Sequence, residues 1–207
     1  VEPSTGTSLT LGASGDTIDV PSGTTLDIAS GATIDVTGAT VSGLTANSLP
    51  AGTVLQVVTN MPNLGNHVLA TSSWTEVSSS FRQSITPIYS NSKLIIEVMF
   101  MFGGNNSSVL AHFKIYDITN SADIELSSNG NRTPLHGSAR QVDADGNDVD
   151  MMSVQVITTS GSTTARTYGF YAKNETGTTN KYYFAGSSDA VAIGYAKPIF
   201  KITEVAQ

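Results

Sequence analysis

Four carboxylates and an amide crowd into eight residues at Asp143-Ala144-Asp145-Gly146-Asn147-Asp148-Val149-Asp150. Hard oxygen ligands at that density suit calcium, so Asp143, Asp145, Asn147, Asp148 and Asp150 form a candidate metal set. The run lacks the glycine and distal glutamate of the helix-loop-helix calcium pattern. Asp145-Gly146 is also an ordinary hairpin turn ahead of a strand, and both readings stand. Just upstream, Asn129, Asn131, Arg132, His136 and Arg140 offer amide and charged donors. Such donors suit hydroxyl-rich or anionic glycans; the alternative is a polar surface loop. Both groups fall in residues 128–150, which have little strand character, and long loops on rigid scaffolds commonly carry binding. Tyr182-Tyr183 adds an aromatic pair that can stack on a sugar or anchor a protein, or divide between core and subunit contact. A third set, Asp19, Asp27 and Asp35, recurs every eight residues. It reads as calcium ligands between chains or as a solvated face that blocks lateral aggregation.

Catalytic patterns are not found. His67, His112 and His136 show no metal-ligand spacing, and His112 reads as a packed mid-strand residue. There is no Gly-x-Ser-x-Gly elbow, no phosphate loop and no cysteine. The chain is therefore not expected to be an enzyme, although a glycosidase carboxylate pair has no sequence signature of its own. Trp74, the single tryptophan, reads as a core or interface residue.

The elements that must position these groups follow from composition. The chain has 207 residues, 13% of them charged, with 26 serines and 26 threonines. That charged share is about half the usual one, while Thr, Val, Ile and aromatics favour strands. No apolar run approaches the ~18 residues of a membrane span, so no membrane insertion is expected. Ten basic residues against 17 acidic ones, a net charge of −7, argue against nucleic-acid binding. The absence of cysteine fits synthesis in a cytoplasm. The chain starts at Val1 rather than Met, which fits a processed chain or a fragment.

Residues 1–50 contain no aromatic and no Lys, Arg or His; the first aromatic is Trp74. Within them lies a repeat of eight: Ser14-Gly-Asp-Thr-Ile-Asp-Val-Pro21, Ser22-Gly-Thr-Thr-Leu-Asp-Ile-Ala29 and Ser30-Gly-Ala-Thr-Ile-Asp-Val-Thr37. Each unit reads as a turn followed by a short alternating strand, with Ile18/Val20, Leu26/Ile28 and Ile34/Val36 on one face. Two aliphatic side chains contribute about 3–6 kcal/mol if fully buried. Ordering eight residues costs roughly 8–16 kcal/mol. The units therefore need an apolar partner, most simply further copies of the chain wound about one axis; a flexible linker is the alternative.

The remainder reads as nearly all strand: 54–59, 67–71, 73–78, 81–86, 93–102, 108–119, 122–127, 151–159, 164–173, 181–185, 190–195 and 198–205. The expected fold is all-β: a short, trimeric, interwound repeat-built shaft over residues 1–51, then an antiparallel jelly-roll-like β-sandwich tip over 52–207. Lys93–Phe102 is apolar on both faces, which predicts one face inside and the other against a second subunit.

The repeat units, Gly52-Thr-Val-Leu-Gln-Val-Val58, Ser84-Ile-Thr-Pro-Ile-Tyr-Ser-Asn-Ser-Lys-Leu-Ile-Ile96 and Lys201-Ile-Thr-Glu-Val205 resemble, in order along nearly the whole chain, the distal part of tailed-phage fibre proteins. The resemblance is closest to fibres of marine and cyanobacterial phages, and its motifs are short. It implies a homotrimer, a virion component made in the host cytoplasm and acting outside it, and a tip that attaches to a host glycan or outer-membrane protein. Other tail or baseplate proteins would be its virion partners. It supplies no binding residues, because tip loops differ between phages. Two alternatives stay open: a purely structural fibre, collar or head decoration, and a polysaccharide-degrading tailspike, against which the short shaft argues. No cofactor is expected beyond calcium at the acidic sets.

Overall fold

The structure, a computed structural model, describes residues 13–43, 49–64, 67–104, 110–126, 134–140, 149–175, 182–184 and 196–207. The chain divides into two compact units, Val1–Gly43 and Leu44–Gln207.

In the first unit the eight-residue period is a period of turns. The N–H of Asp16 donates to Ala13 C=O at 3.0 Å, Thr24 to Pro21 at 3.1 Å, Ala32 to Ala29 at 3.0 Å and Ala39 to Val36 at 2.9 Å. The third residue of each turn is Gly15, Gly23, Gly31 or Gly38, with φ of +92°, +83°, +85° and +77°. The residue before each glycine has negative φ, so these are type II turns, in which glycine takes the left-handed position at little cost. The expected strands between the turns form no ladder among the described residues of this unit. The aliphatic side chains lie open: Ile18 is 62% exposed, Leu26 69% and Ile34 62%. A ladder needs a neighbouring strand, and eight residues that turn and advance do not meet one within these residues.

The second unit holds twelve strands among its described residues. They are β1 (Val54–Asn60), β2 (His67–Leu69), β3 (Thr75–Glu76), β4 (Arg82–Ile85), β5 (Lys93–Gly104), β6 (Leu110–Asp117), β7 (Ala122–Asp123), β8 (Gly137–Arg140), β9 (Val149–Thr159), β10 (Arg166–Asn174), β11 (Tyr182–Phe184) and β12 (Ile199–Val205). The one helical piece among the described residues is a 3-10 turn at Ser79–Phe81, opened by Ser78, whose hydroxyl accepts from Ser80 N–H. All pairings are antiparallel. In the first sheet β5 is flanked by β9 on one edge and by β12 and β11 on the other, with β1 beyond β12 and β2 beyond β11. The second sheet has β6 and β10 at its centre, β7 and β8 on the outer edge of β6, and β3 and β4 on that of β10. The two sheets share one core, so the fold is the expected all-β antiparallel sandwich.

Alternation decides which side chains fill that core. Leu94, Ile96, Val98, Phe100 and Phe102 of β5 point in, and Phe200 and Ile202 of β12 face them from the next strand. From the second sheet come Phe113, Ile115, Tyr168 and Phe170. All seven phenylalanines of the chain are buried. Phe113 stacks on Phe170 at 5.7 Å and 17°, and Phe100 meets Phe113 edge-on at 5.0 Å. Such ring pairs add about 0.5–1.5 kcal/mol each beyond the area they bury.

Two sequence motifs owe their form to one carboxylate. Glu204 points inward from β12 and is fully buried. Its oxygens accept from Ile88 N–H at 2.8 Å, Tyr89 N–H at 3.2 Å, Ser92 Oγ at 2.6 Å and Gln56 Nε2 at 2.6 Å. The motif at 84–96 thus folds around the acid of the motif at 201–205. Burial alone would raise the Glu204 pKa, but these donors outweigh it and hold the group below its ordinary 4.5.

In the second unit one stretch also departs from the sequence reading. Residues 128–150 were expected to lack strand character, yet Gly137–Arg140 pairs with β6 at Phe113–Leu110, and β9 begins at Val149. Gly137-Ser-Ala-Arg carries no apolar alternation because it is a short edge strand. Glycine fits at 137 because a Cβ there would stand 3.1 Å from Val154 Cγ2. The expected strand at 190–195 lies outside the described residues.

Candidate functional site: the outer face of the second sheet

The outward phase of β6 and β10 carries polar and aromatic groups where the inward phase carries Phe113, Ile115 and Phe170. Register sets Lys114 opposite Tyr171 and His112 opposite Lys173, while Tyr116 pairs with Asp123 on the other side. Trp74, just before β3, completes the group. Lys114 Nζ lies 4.9 Å from the Trp74 ring centroid and 4.9 Å from that of Tyr116, and Lys173 Nζ lies 5.4 Å from Trp74. Tyr116 and Tyr171 sit 4.9 Å apart, tilted by 50°.

Each charge on this face is held in place. Lys114 is 6% exposed and donates to Asp123 Oδ1 at 2.5 Å. The two rings beside it contribute about 0.5–2 kcal/mol, more as water is excluded. Glu76 takes a two-pronged grip from Arg82, Nε to Oε1 at 2.6 Å and Nη2 to Oε2 at 2.7 Å. His112 Nε2 lies 3.3 Å from Glu175 Oε2. Burial, and next the charge of Glu76, push the Tyr171 phenol above its ordinary value, so it is a donor at neutral pH. Ordered rings beside fixed ion pairs form a surface that can stack a planar or pyranose ring and hydrogen-bond its edge.

Trp74 is thus half-buried on an outer face and not among the core residues. Sequence reading did not pick out Lys114, Tyr116, Tyr171 or Lys173. The signal that would have found them is the alternate phase of β6 and β10, read together with the cross-strand register.

The residues singled out from sequence are placed as follows. His136 bridges the gap between β7 and β8 along the edge of β6. Its Nδ1 accepts from Ile115 N–H at 2.9 Å, its Nε2–H donates to Ile124 C=O at 2.8 Å, and its N–H donates to Phe113 C=O. The imidazole therefore replaces one rung of the ladder, with the Nε2–H tautomer set by the network. Burial is the largest influence on it and lowers its pKa below 6.5. Arg140 ends β8 opposite Leu110 and is exposed. Asp150 sits in β9 opposite Phe102 and is exposed. Tyr182 and Tyr183 lie in β11, between β5 and β2, followed by buried Phe184. Asn129, Asn131, Arg132, Asp143, Asp145, Asn147 and Asp148 lie outside the described residues. Among the described residues no group of three or more His, Asp or Glu is arranged to hold a metal ion. Asp19, Asp27 and Asp35 are exposed, and hydrogen bonds from the Thr37 hydroxyl and next from its N–H, at 2.9 Å, lower the Asp35 pKa.

The first sheet presents a different outer face. Val54, Val57, Met151 and Ile157 are 52–67% exposed there, beside half-buried Ile95, Met99, Met101 and Ile199. One ion pair, Lys201 with Glu97, crosses it. The inward half of the two-faced reading of Lys93–Phe102 is as expected, and the outward half is this apolar face.

No family model matches the chain, and no curated protein does. Among solved structures, the crystal structure of infectious bursal disease virus VP2 subviral particle aligns over 72% of this chain and spans 40% of that one. The identity is 10% and the TM-score 0.30, too low to establish a shared role.

Proposed function

We propose that the chain is a homotrimeric bacteriophage fibre protein whose globular unit attaches to the surface of a host bacterium. The observation that carries the reading is the row of aliphatic side chains at the eight-residue period, each 41–69% exposed from Ile18 to Val36. Full burial of one such side chain is worth about 1.5–3 kcal/mol, and copies of the same repeat supply matching partners in register. The apolar outer face of the first sheet is a second surface for the same assembly. The Trp74, Tyr116 and Tyr171 face of the second sheet would then meet the receptor, alongside the loop and tyrosine residues named from sequence. Three weak sites on one tip add through avidity.

The test is binding of labelled full-length chain to a panel of cyanobacterial and other marine bacterial cells. The reading expects saturable binding to some strains and its reduction by Trp74→Ala. Binding to none of them would favour the purely structural decoration.

A further inference from the structure

The outer face of the first sheet is built in rows. Register places Lys201 of β12 beside Glu97 of β5, and Glu97 beside Gln155 of β9. Lys201 pairs with Glu97, whose Oε1 also accepts from Gln155 Nε2 at 3.1 Å. The three side chains make a polar strip across three strands, and within it each charge is already answered. Ile95 and Ile157 stand on one side of the strip, Ile199 and Met99 on the other. At the end of β5, Lys93 Nζ donates to Thr159 Oγ1 at 2.8 Å, again within the face. An exposed ion pair in water is worth about 0–1 kcal/mol and needs no such arrangement. A charge taken out of water does need it: a partner in place, hydrogen bonds made and apolar groups around it. The strip is therefore prepared for burial, yet Met151 beside it is 67% exposed and Ile157 52%.

Size and charge say what covers it. With strands about 4.8 Å apart and about 3.3 Å per residue, β1, β12, β5 and β9 present roughly 580 Å² of flat area. Two such faces together remove about 1,200 Å², above the ~1,000 Å² that a specific interface needs. The chain carries a net charge of −7, so two copies repel over most of their surface. On this face the one carboxylate, Glu97, is neutralised by Lys201, and no unpaired acid of one copy would meet an acid of the other. Because the strip satisfies itself, it asks for no matching donor or acceptor, and the same face of another copy is a sufficient partner. We propose that the outer face of the first sheet closes against the same sheet of a second copy of this chain, with Lys201, Glu97 and Gln155 as a buried, pre-paired polar strip. The inference deepens the fibre reading and rests on it for the identity of the partner as a copy.

Light scattering over a dilution series of the full chain, with circular dichroism to confirm folding, reads the strip directly. Glu97→Ala leaves Lys201 buried without its partner, so the concentration at which the assembly dissociates should rise on the order of a hundredfold. The double variant Glu97→Leu with Lys201→Met removes both charges and should return to within a few-fold of wild type. A strip that stays in water predicts instead less than about a fivefold change for Glu97→Ala, and that result overturns the proposal. Hydroxyl-radical footprinting of the unaltered chain needs no variant: Met151 and Met99 should be protected in the assembled chain and become reactive as it is diluted. Met151 fully reactive in an assembled chain also overturns the proposal. A trimer with reactive Met151 and no response to Glu97→Ala would keep the fibre, held by its repeat alone, and remove this interface. A dimer that responds to both would keep the interface and remove the trimer. A folded monomer at every concentration would remove both.

Discussion

Replacing Glu204 with Gln tests whether a single buried carboxylate organises the segment from Thr86 to Ser92. The substitution keeps the shape but exchanges an acceptor oxygen for an NH2 group, in a site where Ile88 N–H, Tyr89 N–H, Ser92 Oγ and Gln56 Nε2 all converge. Bonds to an ionised acceptor are worth about 1.5–3 kcal/mol each, neutral ones about 0.5–1.5, and a stranded buried donor costs about 1–3. Weakened bonds and one donor facing a donor together imply a loss of about 2–5 kcal/mol. In a chain of 207 residues that lowers Tm by roughly 5–15 °C. The pH dependence has a definite sign. The folded pKa lies below 4.5, so the contribution is present above about pH 4.5 and is lost as the pH falls through the lowered folded value. Thermal unfolding followed by circular dichroism, at matched chain concentration, should therefore show the gap between wild type and Glu204→Gln narrowing in acid. A Tm within a degree of wild type at neutral pH, or a gap that ignores pH, would refute the reasoning.

Three further outcomes are expected. His136→Phe strands Ile115 N–H and Ile124 C=O, costing about 2–4 kcal/mol by denaturant titration. Because the folded His136 pKa is lowered, its stabilisation is present above about pH 6.5 and fades below; the variant should lose that slope, and an unchanged slope would assign it elsewhere. Gly169→Ala places a Cβ 2.6 Å from Ile118 Cδ1 and 3.1 Å from Glu76 Oε1, for about 1–3 kcal/mol of overpacking. Adding Ile118→Ala should recover part of that loss, and strict additivity in the double-mutant cycle would count against the contact. Gly23→Val meets no neighbour within 4 Å yet must adopt φ +83°, so it should weaken assembly of the full chain by light scattering while Ser22→Ala does not.

The sandwich was legible because β-rich runs bounded by turn residues recur along 54–205, while Lys93–Phe102, apolar on both faces, needed the structure to show that Leu94, Ile96, Val98, Phe100 and Phe102 are the inward set. The turns of the repeat were legible because only glycine takes their left-handed position cheaply, and it recurs in register at 15, 23 and 31. β8 was not, since Gly137-Ser-Ala-Arg is held by backbone pairing to β6 and by the His136 ring, neither of which leaves an apolar pattern. The motifs at 84–96 and 201–205 were visible, but their common cause was not, because Glu204 meets Ser92 across more than a hundred residues. The outer aromatic face needed the register of β6 against β10, which one strand's sequence does not contain.

The mass of the intact chain in solution bears most directly on the fibre account. If the exposed aliphatic rows of 18–36 and the apolar face around Val57 and Ile157 are assembly surfaces, light scattering should give three times the 21.6 kDa of one chain. A folded, β-rich chain at 21.6 kDa, unchanged as concentration rises, would contradict it.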